Sequence, residues 1–279
     1  MQHLETIRDQ FAALVKAPED NIDLAEAALL IARTAFPELV GSHYTERLDR
    51  WAARLRGNLG ATPSLGDILS NLNRIMFEEE AFQGDQHNYY DPQNSFLNRV
   101  MDRKLGIPIT LSLIYAEVGR RAGITIHGIS LPGHFIVGLP HASGMLYIDP
   151  FKRGEAITET ECQKMIQVRY GPEAARDTSW QKPAGKKMIL KRMLRNLKGI
   201  YRQMNQDLQA FEMLQWILAV DPDAAIELKE RGLFYEAIGN GAFAIRDLER
   251  YLEVAPAAED REMLMLKIDQ LRRAREWLH

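Results

Sequence analysis

The sequence predicts an α+β protein: an N-terminal helical region, a middle core with a small antiparallel sheet, and an α-helical repeat segment at the C-terminal end. Three observations predict it. Apolar residues recur at helical spacing through residues 1–83, an apolar helix at 109–122 gives way to short strand-like runs, and five residues near the C-terminal end recur at one fixed offset.

The N-terminal region reads as helix after helix. Residues 23–32 are rich in strong helix formers, and Pro37 stops them. Residues 44–59 place Leu48, Trp51, Ala52 and Leu55 on one face, at the 3–4 spacing of an amphipathic helix. Pro63-Ser64 opens the next helix, whose inward residues are expected to be Ile68, Leu69, Leu72 and Ile75.

The pattern changes at residue 84, where a core of 84–170 is expected. Asn88-Tyr89-Tyr90-Asp91-Pro92-Gln93-Asn94-Ser95 is turn-rich. A short helix over 96–105 follows, then the break Gly106-Ile107-Pro108 and a helix over 109–122 closed by Gly123. Strands are expected over 124–130, 135–139 and 145–149, with a hairpin loop at 141–144. Residues 171–187, mixed in Gly, Pro, Ser and Lys, read as a linker.

The segment 188–279 is helical throughout. Tyr201, Ala210, Leu214, Val220 and Pro222 return as Tyr235, Ala244, Leu248, Val254 and Pro256, each 34 residues later. That period is the tetratricopeptide one. The tyrosines fill the space between paired helices, the alanines admit close approach, and each proline stops a helix. Gly232 departs from the pattern, because Lys198 stands at its counterpart. Residues 264–278 are expected to cap the stack, and the repeats to contact a protein or peptide partner.

Composition excludes other classes. With 46% apolar and 26% charged residues and a net charge of −3, the balance calls for neither nucleic acid nor an anionic membrane. Met1-Gln2-His3-Leu4-Glu5 has no signal-peptide character, and no apolar run approaches membrane-spanning length. The single Cys162 excludes an internal disulfide and fits a reducing compartment, so a cytoplasmic protein is expected. No phosphate-cradling glycine loop is present, and His3, His43, His87, His127, His141 and His279 show no metal-ligand spacing, so no cofactor and no metal is expected.

One constellation could carry chemistry: the helix start at Gly106-Ile107-Pro108, His134 at a strand entry and Asp149 at the end of the next strand. A nucleophile at a helix N-terminus, a neighbouring His as base and a carboxylate orienting that His form a recurrent catalytic set. The surrounding segments carry a resemblance. Asn88-Tyr89-Tyr90-Asp91-Pro92, Asn94-Ser95-Phe96-Leu97-Asn98, residues 103–112, Leu131-Pro132-Gly133-His134-Phe135-Ile136-Val137 and Ile148-Asp149-Pro150-Phe151 resemble the bacterial transglutaminase-like proteins that end in tetratricopeptide repeats.

That resemblance implies a papain-like α+β core, with His134 and Asp149 at the family's catalytic His and Asp positions. Active members carry cysteine at the helix start, where this chain has Pro108. Proline suits a first helical turn but offers no nucleophile. Ser112 and Thr110 are the alternative hydroxyls, although such residues in helices commonly bond the preceding turn. Tyr89, Tyr90, Asn94 and Asn98 are expected beside His134 as cleft residues, with satisfaction of the irregular loop's backbone as their competing role. Cys162 reads as a packing residue. The expected function is a non-catalytic adaptor or regulator. The alternatives are a hydrolase or acyl transferase using His134 and Asp149 with a non-cysteine nucleophile or water, and a small-molecule sensor.

Overall fold

The computed structural model describes residues 2–276, so Trp277 and Leu278 of the expected cap lie outside the described residues. The chain divides into two compact units, with the boundary after Met193.

In the first unit, α1 (Gln2–Lys16) buries Ile7, Phe11 and Val15 at four-residue spacing. Helix α2 (Leu24–Ala32) starts where the Asp23 carboxylate accepts the Glu26 amide, and it is enclosed on nearly every side. Helix α3 (Gly41–Asn58) buries the four residues expected of it, Leu48, Trp51, Ala52 and Leu55. A Ser64–Asp67 capping box opens α4 (Leu65–Asn73), which runs into a π turn at Arg74–Glu79. The buried stripe there is Leu72, Ile75, Met76 and Phe77, while Ile68 and Leu69 stay half-buried.

Two short parallel strands, β1 (Gln83–Gly84) and β2 (Leu105–Gly106), bracket the irregular loop and α5 (Leu97–Arg103). Helix α6 (Pro108–Arg121) is buried along most of its length. The main sheet follows as β3 (His127–Leu131), β4 (His134–His141), β5 (Gly144–Asp149) and β6 (Glu155–Ile157), antiparallel throughout in that order. Strand β6 was not foreseen, because three residues carry too little periodicity to mark a strand.

The stretch 171–187 is not a linker in the structure. Helix α7 (Glu159–Tyr170), α8 (Pro172–Arg176) and the turn Ser179–Gln181 pack onto the sheet. Trp180 is the reason: only 5% exposed, it joins Ile129, Leu131, Ile136, Tyr147, Ile157, Cys162 and Ile166 in one apolar cluster. Pro183 bridges Ile129, and the Ala184 amide donates to the Gly128 carbonyl, so this segment shields the outer edge of β3. Helix α9 (Lys186–Gln203) crosses the unit boundary.

The second unit holds the last turns of α9, then α10 (Asp207–Val220), α11 (Ala225–Ala237), α12 (Gly241–Val254) and α13 (Arg261–Glu276). Helices α10 and α12 end at the matched residues Val220 and Val254, two before the matched prolines. The repeat reaches into the turns as well. Asn205 (φ +56°) and Gly239 (φ +77°) take the left-handed conformation at equivalent positions. One residue later, the Gln206 and Asn240 amides donate to the Tyr201 and Tyr235 carbonyls, both at 2.8 Å.

Candidate functional site

Antiparallel pairing of β4 with β5 brings His134, first in β4, toward Asp149, last in β5. Asp149 Oδ2 lies 2.9 Å from His134 Nε2, and Oδ1 accepts the Phe151 amide at 3.0 Å. A carboxylate only accepts, so Nε2 carries a proton, and in the neutral imidazole Nδ1 keeps its lone pair. Asp149 is fully enclosed, whereas the His134 side chain is 16% exposed. The imidazole is therefore held from its buried side and open on the other.

The Phe151 ring meets His134 edge-on at 6.1 Å, Tyr89 meets Phe151 at 6.2 Å, and Tyr90 meets Tyr89 at 5.3 Å. Both tyrosines thus continue an aromatic row from His134, with Tyr90 at its exposed end. Burial raises the Tyr89 hydroxyl above its ordinary pKa, against the pull of Arg169 and Arg192. Asn94 is a correction: fully enclosed, it donates to Asp85 and to the Asn88 carbonyl and accepts from Arg103, so it locks the 85–94 loop and lines no cleft. Asn98 is also buried, and its side-chain oxygen has no partner among the described residues.

Pro108 is the first residue of α6. Four residues on, Ser112 Oγ donates to the Phe135 carbonyl at 3.3 Å, which sets this end of α6 against the start of β4 beside His134. Thr110 Oγ donates toward the Asn94 carbonyl (2.8 Å) and accepts the Ile107 amide (3.1 Å). Both hydroxyls are buried and bonded to main chain. Cys162 is enclosed in the apolar cluster, and burial pushes its thiol up to about 12.

Sequence reasoning missed two parts of this site. Phe151 joins His134 to Tyr89, and Arg192 donates to the His134 carbonyl at 2.7 Å. Arg192 carried no signal, because an arginine in an amphipathic helix looks like a solvated one. Beside His134 opens a cavity of about 470 Å³, whose walls include Pro132, Lys152, Glu155, Met165 and Arg169.

Residues 42–195, more than half of the chain, match the family model for the transglutaminase-like superfamily. The chain belongs to that superfamily. Residues 197–269 of this transglutaminase-like protein match a tetratricopeptide-repeat model, and repeats of this kind generally mediate protein–protein contacts. The chain is 34% identical to a UPF0162 protein of Xylella fastidiosa, over 90% of each chain. It is 20% identical to protein SirB1 of Salmonella typhimurium, over 93% of this chain and 97% of that one. Human F-box only protein 21 shares 27% identity over 62% of this chain and 28% of its own length. No solved structure matches. Among the described residues no helix of this transglutaminase-like chain is long and apolar enough to cross a membrane.

Proposed function

We propose that this chain is a non-catalytic transglutaminase-like protein that acts as a protein-binding adaptor or regulator in the cytoplasm. One observation carries the reading: the helix start beside His134 is occupied by Pro108, which has no nucleophile. The neighbouring groups offer no substitute. Thr110 and Ser112 spend their hydroxyls on main-chain partners, and Cys162 is enclosed with a thiol that ionises only near 12. The tetratricopeptide-type segment supports the contact role, and a single buried cysteine suits a reducing compartment. The test is affinity capture with the full chain from bacterial extract, beside a screen of peptidase, amidase and esterase substrates. A stable partner with no turnover is expected; turnover without a partner refutes the reading.

A second reading rests on the His134–Asp149 pair at 2.9 Å. With Nε2–H committed to Asp149, His134 Nδ1 could serve as a base toward water, making the chain a hydrolase. Comparing wild type with His134→Ala in the same screen separates the two. Activity lost in that variant moves the conclusion to the enzyme.

A further inference from the structure

Arg192 spends its guanidinium differently from the arginines of this chain that clasp carboxylates. Among the described residues, Arg120, Arg195, Arg231, Arg246 and Arg250 put both Nε and Nη2 on a carboxylate; the first three span both its oxygens, on Glu117 (3.0 and 2.7 Å), Glu227 (2.8 and 2.8 Å) and Asp247 (2.6 and 2.9 Å). Arg192 meets only neutral oxygens. Nη1 donates to Ser130 Oγ at 2.5 Å and the Leu131 carbonyl at 2.8 Å, and Nη2 donates to the His134 carbonyl at 2.7 Å. The guanidinium also lies over the Phe135 ring at 5.4 Å.

A guanidinium has five N–H donors, and three are used here. The two that remain are Nε–H and one Nη2–H. Neither has an acceptor among the described residues. Desolvation without a counter-charge is costly, and burial here holds Arg192 below its ordinary pKa.

Arg192 lines a cavity of about 500 Å³, between residues 130–133 on one side and 177–188 on the other. Trp180 stands in the same wall, with its indole N–H buried and lacking an acceptor among the described residues. Lys182 adds a second cation to the lining. The one carboxylate there, Asp177, is engaged by the Ser179 amide and hydroxyl, both at 2.8 Å. The volume falls in the small-ligand range.

We propose that this cavity is a carboxylate-binding site, anchored by the two unused N–H donors of Arg192. A carboxylate has two oxygens to accept from two donors, and one cation balances one negative charge. A bound carboxylate would sit behind the turn that presents His134. The carboxylate could belong to the C-terminus of a peptide or to a small free acid. This site stands whether or not His134 is catalytic.

The experiment uses the full wild-type chain, with arginine Nε–H and tryptophan indole resonances followed by NMR. It is titrated separately with N-acetyl-alanyl-alanine, the C-terminal amide of that dipeptide, acetate and inorganic phosphate. Saturable shifts of the Arg192 and Trp180 signals are expected with an acid and not with the amide. Arg192→Lys, which keeps the charge and loses the planar guanidinium donors, should weaken the acid about tenfold or more. Binding of the dipeptide acid alone assigns a peptide C-terminus, and equal binding of acetate assigns a small acid. Since Arg192→Lys could also loosen the turn at residues 130–134, the acid–amide comparison on wild type decides by itself. Equal response to acid and amide, no saturable shift with either acid, or a preference for phosphate overturns the proposal.

Discussion

Replacing Glu227 by Gln tests how the repeat unit tolerates charge in its interior. Glu227 is 1% exposed, yet it accepts two bonds from Arg195 at 2.8 Å each and one from Lys198 Nζ at 3.1 Å. Burial alone would raise its carboxyl pKa, but the bonds from Arg195 and Lys198 outweigh that, and the value is lowered. Glu227→Gln keeps the shape and deletes the charge, leaving Lys198, whose side chain is 10% exposed, with Glu230 alone at 2.6 Å. Breaking a buried pair typically costs about 3–5 kcal/mol. The lower end, about 3 kcal/mol, applies because Arg195 is half-exposed and Lys198 keeps its second partner. For a unit of this size, about 4–8 °C per kcal/mol converts that loss to a Tm drop of roughly 12–24 °C.

Calorimetry of the full chain, with hydrogen exchange of the α11 and α12 amides, reads the change where it arises. The pH dependence supplies the sign. A lowered glutamate pKa contributes stability that is fully present above the unfolded value, about 4.3, and is lost as pH falls through the folded one. Wild type and variant should therefore differ at pH 7 and converge in acid. A difference under about 0.5 kcal/mol, or one unchanged between pH 7 and pH 3, refutes the reasoning.

Three further outcomes follow from the packing. Gly232→Ala would set a Cβ 2.8 Å from Leu248 Cγ and 2.9 Å from Cδ2, so a loss of about 1–3 kcal/mol is expected, read as a lower urea midpoint. Asp149→Ala strips the acceptor from His134 Nε2 and the Phe151 amide at a fully enclosed position; it should cost about 1–3 kcal/mol by urea titration. Cys162, buried and ionising near 12, should resist a thiol-reactive dye in native protein at pH 8 and label fully in denaturant; native labelling at the unfolded rate would contradict its burial.

Much of the fold was legible because its elements are periodic. The α3 stripe of Leu48, Trp51, Ala52 and Leu55 is buried as read, and the 34-residue register ends α10 and α12 at matched residues. Spacing also placed His134 and Asp149 at the ends of neighbouring strands, since a hairpin aligns residues on either side of its turn. The linker reading failed because Gly, Pro, Ser and Lys content reports local preference, whereas a single Trp180 supplies enough apolar area to tie the segment down. Asn94 fell out of the cleft for a related reason: a polar loop residue satisfies buried main chain as readily as it meets a ligand, and only its neighbours decide which.

The amino-acid order by itself determined the helix, strand and repeat pattern, the family, and the proline at the start of α6. Those properties reside in local spacing and residue chemistry. Only the tertiary structure decided that His134 bonds Asp149 through Nε2, that Thr110 and Ser112 are spent on main chain, and that Arg192 keeps two donors free above the same turn. Those relations join residues up to 62 positions apart, and hydrogen bonds over such separations depend on packing that no local pattern encodes.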